Sequence, residues 1–267
     1  MRLMLLTSDH PTQVALACKL SEVTELVGIV VSRNVARKVR KPYHQKVNAV
    51  SLRLVGRPLL EAWRELGARY AAQHAAFPAV PRVDVANVND PPTLDALAAW
   101  GPELVAVSGT NLVGRRIIAE ASARRGIVNL HTGISPYVKG GPNCTNWCLA
   151  TGRFDLIGNT VMWLDPGIDT GNIIATERTP LTGDEDLAEL HWKVMEHAHD
   201  LYRRAIERIA AGQPVPSVPQ DEVGSGPVYY MADWTAWQMI RARWNFRRGY
   251  PEGVRAGGGH RLVALAP

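Results

Sequence analysis

The sequence has few cysteines, no C-x-x-C pair and no obvious metal-binding motif. Its three cysteines, Cys18, Cys144 and Cys148, do not predict a disulfide framework, and they favour reduced thiols in the cytoplasm. Cys144 and Cys148 lie four positions apart, but two thiolates alone make a poor metal site. We therefore expect small buried cysteine side chains and no bound metal.

The sequence also lacks a long apolar run, a signal peptide and a glycine-rich nucleotide loop. No run approaches the roughly 20 apolar residues of a membrane helix, so we expect no membrane span. The N-terminus turns polar too early for a secretory signal and is more typical of a buried first strand. The absence of G-x-G-x-x-G argues against a dinucleotide-binding fingerprint. No serine or cysteine lies in a nucleophile elbow, which disfavours a covalent acyl-enzyme.

The net charge is +5, and part of the basic excess lies in two segments, Arg33 to Lys46 and Arg241 to Arg248. Two interpretations of these segments remain open. They are either solvated surfaces or an electrostatic landing site for an anionic substrate such as a sugar nucleotide. No aromatic-and-basic RNA-binding signature accompanies them, so we do not expect a nucleic-acid partner.

The first half of the chain alternates short apolar runs with segments of helical spacing. The chain is nearly half apolar, and 267 residues suffice for one substantial core with an appendage. This alternation predicts an α/β fold with a doubly wound, mostly parallel sheet and helices on both faces. In such folds ligands bind beyond the carboxyl ends of the strands. The predicted strands span residues 3–6, 26–31, 83–88, 103–108 and 127–131.

The pattern changes after Cys148. Residues 159–164 and 172–181 predict a hairpin-like pair of strands, and residues 184–211 predict a long amphipathic helix, capped by residues 182–185 and ended by Gly212. We therefore expect a catalytic domain over residues 1–212 and a C-terminal extension over residues 213–267. The extension is a small subdomain or a dimerisation arm. Its tryptophans indicate either a homodimer interface or burial against the chain's own core.

Polar residues lie at the end of the predicted strand 127–131 and on a later loop. Asn129 and His131 alternate with apolar residues, so both side chains point to the same side of the strand. An amide donor beside an imidazole stabilises an oxyanion while the ring moves a proton. Asp169, on a glycine-flanked loop, would orient the imidazole and raise its proton affinity. Each residue alone has an ordinary structural explanation, but together they predict a site for direct transfer between two bound substrates.

Three motifs carry a resemblance to a known family: Asn129-Leu130-His131 with the loop up to Gly140, Asn159-Thr-Val, and Gly167-Ile-Asp-Thr-Gly171. Over roughly residues 104–212 the chain resembles the folate-dependent formyltransferase superfamily. That group includes glycinamide ribonucleotide, methionyl-tRNA and sugar N-formyltransferases. The resemblance implies formyl transfer from 10-formyltetrahydrofolate to an amine. It also implies that Asn129 holds the oxyanion, that His131 stabilises it and moves the amine proton, and that Asp169 tunes His131 and relays the proton.

The resemblance further implies where the two substrates bind. A pterin pocket would be built largely on backbone groups of Ser108, Gly109, Thr110, Asn111, Leu112 and Val113 and of the loop residues Asp165, Gly167, Ile168 and Thr170. The acceptor side would use Lys139, Gly140, Gly141 and Asn143, together with Thr7, Asp9 and His10 after the first strand. A plain turn with Asn143 as a helix N-cap explains the 139–143 motif equally well.

The identity of the acceptor follows only by elimination. Relatives often read His-x-Ser-Leu-Leu-Pro, whereas this chain reads His131-Thr-Gly-Ile-Ser-Pro136. The turn after the first strand lacks the glycine-rich phosphate loop of the glycinamide ribonucleotide enzyme. The stretch after the long helix is short for the C-terminal barrel of the tRNA enzyme. We therefore expect an amino sugar, nucleotide-linked, as acceptor. The alternatives are a small amine or amino acid derivative, and a non-catalytic folate- or nucleotide-binding module.

Overall fold

A computed structural model describes residues 1–33, 56–141 and 143–265 of the chain. Apart from Arg33, the basic segment Arg33 to Lys46 lies outside the described residues. The interpretations of its charge therefore stay open. The sequence also predicts one or two helices between residues 32 and 76, and part of that range lies outside the described residues.

Seven strands of the described chain form one sheet, in the order β3-β2-β1-β4-β5-β7-β8. Strands β1 to β5 run parallel, and β7 runs antiparallel to both of its neighbours, β5 and β8. The strands are β1 (Arg2–Thr7), β2 (Glu25–Ser32), β3 (Arg82–Val85), β4 (Leu104–Val107), β5 (Ile127–His131), β6 (Lys139–Gly140), β7 (Gly158–Trp163), β8 (Ile173–Arg178) and β9 (Val228–Tyr229). The expectation of a mostly parallel α/β sheet with a later strand pair is confirmed.

Helices cover both faces of this sheet. The helices of the described residues are α1 (Pro11–Ser21), α2 (Arg57–Gln73), α3 (Pro91–Trp100), α4 (Arg115–Ser122), α5 (Cys144–Thr151), α6 (Leu187–Ala210), α7 (Gln220–Val223) and α8 (Ala236–Ala256). Side chains of β1 alternate between the two faces, because successive residues of a strand point in opposite directions. Leu3 and Leu5 pack with α1 and α6, whereas Met4 and Leu6 pack with α3 and α4.

Tyr202 of α6 ties together the ends of β4 and β5 beneath the carboxyl edge of the sheet. Its buried hydroxyl donates to the carbonyl oxygen of Val128 at 2.8 Å and accepts from the amide of Val107 at 2.9 Å. Both partners directly precede residues of the predicted site, Ser108 and Asn129. A buried hydrogen bond of this kind fixes the separation of the two strand ends.

The segment after Gly212 packs on the sheet domain through α8. Met239, Ala242 and Tyr250 of α8 and the preceding Trp234 lie in one hydrophobic cluster with α5. Of the three tryptophans of the extension, Trp234 is buried, while Trp237 and Trp244 are exposed. Burial against the chain's own core thus holds for Trp234, and for the two exposed rings the interface stays a prediction. The domain boundary at residue 212 and the homodimer stay predictions.

The N-terminus of α6 differs from the sequence prediction. Asp186, rather than residues 182–185, caps the helix, since its Oδ1 accepts the amide of Glu189 at 2.8 Å. The buried carboxylate of Glu185 accepts instead from the amides of Thr182 and Gly183, each at 2.9 Å. It also accepts from Lys193 Nζ and from the hydroxyl of Tyr250 on α8. Glu185 therefore links the start of α6 to the C-terminal helix.

Substituting Glu185 should destabilise the protein in a pH-dependent way. Burial alone would raise the pKa of Glu185, but donors from Lys193, Thr182 and Tyr250 outweigh burial and hold the pKa well below its usual range. The folded state therefore favours the carboxylate, whose contribution is full at neutral pH and is lost as pH falls below about 4.5. We expect Glu185→Gln to cost roughly 3 kcal/mol at pH 7 and less at pH 3. Thermal unfolding between these pH values tests this, and an equal loss at both would contradict it.

Candidate active site

One cavity of about 440 Å³ lies beyond the carboxyl ends of β1, β4 and β5. This is where doubly wound sheets bind their ligands, because the loops that leave neighbouring strands diverge there. Eight residues of the predicted site line the cavity: His10, Ser108, Gly109, Thr110, Asn129, His131, Gly140 and Asp169. The structure therefore brings together residues that are far apart in the sequence.

Strand β5 presents Asn129 and His131 on the same side, as the alternation of the sequence predicts. The imidazole of His131 is buried, with 8% of its surface exposed, and Asn129 is half-buried. Thr160 of β7 lies opposite His131 in the pairing of β5 with β7. It fixes the loop that follows His131. Its hydroxyl donates to the carbonyl oxygen of Gly133 at 2.6 Å and accepts from the amide of Ser135 at 2.9 Å.

Asp169 folds back onto these two residues. Its Oδ2 lies 3.4 Å from His131 Nδ1 and accepts the amide of Gly140 at 2.8 Å. Its Oδ1 lies 3.5 Å from Nδ2, the side-chain amide nitrogen of Asn129. Asp169 has a φ of 49°, and among the described residues no other non-glycine has a positive φ. This left-handed conformation is uncommon for a side chain other than glycine and has to be held by its surroundings.

The second nitrogen of the imidazole also faces acceptors. His131 Nε2 lies 3.1 Å from the carbonyl oxygen of Val138 and 3.5 Å from Cys144 Sγ. Burial alone would lower the pKa of His131, but the charge of Asp169 and the contacts with Cys144 and Val138 outweigh burial and raise the pKa to about 10. Because both ring nitrogens face acceptors, the site favours the protonated, cationic form of the ring.

Chemically, the arrangement offers a neutral amide donor, a buried cation and a carboxylate around one cavity. The amide and the imidazolium suit the stabilisation of an oxyanion in a site of low dielectric constant. The carboxylate is the member of the set that can accept a proton. Asn129 and His131 belong to one strand, so their separation is fixed by the backbone.

Several residues predicted for the pterin pocket lie outside the cavity lining. Asn111 turns away from it, accepting from the amide of Val88 at 3.1 Å and donating to Asn87 at 2.9 Å. Leu112 is 65% exposed, and Val113 packs against the core beneath α3 and α4. The other four, Asp165, Gly167, Ile168 and Thr170, belong to the loop that carries Asp169. In this loop Asp165 accepts from Gly167 and Thr170, while Ile168 is half-buried.

Of the residues predicted to bind the acceptor, some line the cavity and others do not. His10 lines the cavity as the N-cap of α1, and its ring stacks on Trp63 with centroids 5.4 Å apart. Thr7 is fully buried and bonds Gln13 and the carbonyl of Ser108, while Asp9 is exposed. In the 139–143 motif, Lys139 and Gly141 pair with the segment of β9. Asn143 caps α5, as the plain alternative predicted.

Other contacts of the site were missed by the sequence analysis. Cys144 was predicted to be a buried apolar side chain, and it is buried, but its sulfur also contacts His131. Trp63 lines the cavity from α2, a helix that carries no motif. Gln220 contacts the backbone of Asp169 from 51 residues further along the chain. Helical spacing indicates that Trp63 faces inward, but no local signal identifies Gln220.

The sheet order and the polar cavity beyond its strand ends define a doubly wound α/β protein with a cavity at the carboxyl edge of its sheet, where this class of fold binds its ligands. Within that class, residues 30–206 match the family profile described as formyl transferase. The match covers more than half of the chain, so the chain belongs to this family. The resemblance inferred from Asn129, His131 and Asp169 is confirmed.

Curated relatives at the sequence level include methionyl-tRNA formyltransferases. The protein of Citrifermentans bemidjiense is 26% identical over 151 residues, which are 57% of this chain and 45% of that protein. The protein of Moorella thermoacetica is 32% identical over 136 residues, which are 51% of this chain and 42% of that protein. The matched region thus spans less than half the length of these relatives.

Similar solved structures share the fold at low sequence identity. A phosphoribosylglycinamide formyltransferase from Anaplasma phagocytophilum has a TM-score of 0.56 at 17% identity, covering 86% of this chain and 98% of that one. A 4-N formyltransferase from Francisella tularensis has a TM-score of 0.56 at 15% identity, covering 90% and 87%. An N-formyltransferase from Helicobacter canadensis, solved with folinic acid and dTDP-3-aminofucose, has a TM-score of 0.56 at 14% identity, covering 90% and 79%.

Two further findings concern the described residues alone. Within residues 1–33, 56–141 and 143–265, no helix combines the length and apolarity that a bilayer crossing requires. In the same part of the chain, histidine, cysteine and acidic side chains do not gather in threes as a metal site would need.

Proposed function

We propose that this chain transfers a formyl group from 10-formyltetrahydrofolate to the amine of an amino sugar, nucleotide-linked. One observation carries the proposal: Asn129, His131 and Asp169 converge on a single cavity at the carboxyl edge of the sheet. Membership of the formyl transferase family supports the reaction. The acceptor rests on the lining of the cavity and on the sequence analysis.

In this proposal the cavity wall formed by Ser108, Gly109 and Thr110 receives the flat folate ring. Gly109 has a φ of 68°, and a Cβ placed there would lie 2.8 Å from the side chain of Gln13. A residue without a side chain therefore lets the backbone form the wall directly. Backbone amides and carbonyls at a strand end supply the donors and acceptors that a pterin edge requires. When bound, 10-formyltetrahydrofolate supplies the formyl group as an activated one-carbon unit.

Each of the three central residues has one role in this proposal. Asn129 donates its side-chain amide to the formyl oxygen as the acceptor amine attacks the formyl carbon. His131, protonated on both ring nitrogens, stabilises the negative charge on that oxygen rather than removing a proton. Asp169 holds the imidazolium through Oδ2, and its Oδ1, which has the longer contact, accepts the proton that the amine loses. The bond between the formyl carbon and N10 of the folate then breaks, and that proton passes to N10, so that tetrahydrofolate leaves.

The remaining lining of the cavity supports a hydroxyl-rich acceptor. Ser8, His10, Thr12 and Gln13 at the start of α1 present hydroxyl, imidazole and amide groups to it. Such groups exchange hydrogen bonds with sugar hydroxyls. The Helicobacter canadensis structure with an amino-sugar nucleotide has the same fold, which makes this acceptor class a reasonable one to test.

Methionyl-tRNA is a second candidate acceptor, because sequence relatives of this chain are methionyl-tRNA formyltransferases. The purified protein should be assayed with 10-formyltetrahydrofolate and amino-sugar nucleotides, small amines or methionyl-tRNA, with release of tetrahydrofolate as the measurement. We expect turnover with an amino-sugar nucleotide and competition by nucleoside diphosphates. Turnover that nucleoside diphosphates leave unchanged would favour a small amine. Folate binding without turnover on any amine would contradict the proposal.

Substituting His131 separates the enzyme from the third alternative, a non-catalytic folate-binding module. We expect His131→Ala to lower kcat by about 10²-fold or more, since it removes the charge that stabilises the oxyanion. Folate binding, followed by tryptophan fluorescence, should change little. Cys148→Ala, a buried substitution on the neighbouring helix, is the control for packing alone. Equal turnover in His131→Ala and the unsubstituted protein would remove the catalytic role.

A further inference from the structure

The side chain of Gln220 reaches from the C-terminal segment to the backbone of the Asp169 loop. Its Nε2 donates to the carbonyl oxygen of Asp169 at 2.7 Å and to that of Gly171 at 2.9 Å. Gln220 is buried, with 9% of its surface exposed, and lies 4.0 Å from the sulfur of Met162. Buried amide donors with two carbonyl partners form a contact that water cannot replace without rearrangement.

Asp169 needs such a contact because of its backbone conformation. A positive φ is uncommon at a residue with a side chain and persists where neighbouring groups hold it. The amide of Gly140 holds the carboxylate, and Gln220 holds the carbonyl of the same residue. Both ends of Asp169 are thereby fixed relative to His131.

The segment that carries Gln220 is itself attached to both sides of the site. Val218 exchanges two backbone hydrogen bonds with Ile173, at 2.8 and 2.9 Å, just after the Asp169 loop. Further on, β9 pairs with β6, and the amide of Gly141 donates to the carbonyl of Tyr229 at 3.0 Å. Gly140, whose amide holds the Asp169 carboxylate, lies in β6. The segment therefore supports each of the two groups that fix Asp169.

We infer that Gln220 is a positioning residue for Asp169. The C-terminal segment around Gln220 is therefore required for formyl transfer, and it does more than connect a C-terminal arm to the sheet domain. This inference rests on the proposed function of Asp169. Gln220 touches no reacting atom in this account and acts through the loop backbone. A displacement of the carboxylate by about 1 Å is enough to lower a rate by roughly 10²-fold.

Two variants test the inference. Gln220→Met keeps the length and bulk of the side chain and removes both donors, while Gln220→Glu places a carboxylate against the two carbonyls. We expect kcat to fall by about 10²-fold in Gln220→Met and further in Gln220→Glu, with KM for the folate within about threefold. The pKa of His131, followed by NMR, should fall in both, because the carboxylate moves away from the imidazole.

Ser217→Ala is the matched control, because Ser217 joins the same two segments through Asn172 at 3.1 Å without touching Asp169. Its kcat and His131 titration should equal those of the unsubstituted protein. An unchanged kcat and an unchanged His131 titration in Gln220→Met would overturn the inference. So would losses that Ser217→Ala reproduces. The NMR titration needs no substrate, so it decides the positioning role even where the proposed reaction itself proves wrong.

Discussion

Replacement of Asp169 with asparagine is expected to lower kcat by about 10²–10⁴-fold, the range typical of a lost acid–base group. Asparagine keeps the size of the side chain and tolerates a positive φ, so the loop can retain its course. It removes the charge 3.4 Å from His131 Nδ1 and the oxygen that accepts the amine proton. The loss should therefore appear in kcat, while KM for the folate changes little.

The same substitution should change the titration of His131. The pKa of His131 is raised to about 10 although burial alone would lower it, and Asp169 is the strongest of the groups that raise it. Without that charge we expect the pKa to fall towards or below its ordinary value of about 6.5. The ring is then largely neutral at pH 8 and loses its role as a cation. Two-dimensional NMR of labelled histidine follows this titration directly.

Asp155→Asn provides a matched control. Asp155 also contacts a histidine, His260, with Oδ2 and Nδ1 3.0 Å apart, but it does not line the cavity. Its removal should leave kcat within about twofold and the titration of His131 unchanged. If Asp169→Asn kept full activity, the proposed proton acceptor would be wrong. A lowered kcat with an unchanged His131 titration would show that the charge of Asp169 does not control the ring.

The fold follows from local patterns that the sequence displays. Short apolar runs predict β1, β2, β4 and β5, because strands buried on both faces need no polar alternation. The C-terminal helix α8 was not predicted, since Gly249, Pro251 and Gly253 interrupt its helical pattern. Proline removes a backbone donor in a helix interior. Packing of Tyr250 and Met239 against α5 compensates for this local preference.

The site was predictable where its residues share an element and not where they meet through tertiary contacts. Asn129 and His131 are two apart on one strand, so their common orientation is a property of the sequence. The contact of Asp169 with His131 was inferred from the residue types and supported by the resemblance to known proteins, since a loop can fold in many ways. Cys144 and Gln220 offer no comparable signal. Their contacts depend on where α5 and the C-terminal segment pack, which local periodicity does not determine.

Replacement of Asn129 with alanine is the second substitution with a large expected effect. The amide of Asn129 is a neutral donor on a rigid strand beside a buried cation, and its Nδ2 lies 3.5 Å from Asp169 Oδ1. In the proposed reaction, the hydrogen bond from the side-chain amide of Asn129 to the formyl oxygen becomes stronger as that oxygen becomes negative. Loss of one such donor lowers kcat by about 10²–10³-fold. Steady-state kinetics with saturating folate and acceptor measure the effect.

The pH profile of Asn129→Ala distinguishes oxyanion stabilisation from control of the titrating groups. Alanine at position 129 leaves the contacts of His131 with Asp169 and Val138 in place. We therefore expect a uniformly lower rate with a profile of unchanged shape, whereas Asp169→Asn should change the shape as well. Asn172→Ala, which removes an exposed amide at the start of β8, should leave the rate unchanged. A shifted profile in Asn129→Ala would mean that the amide acts by holding Asp169, and its role would then be positional.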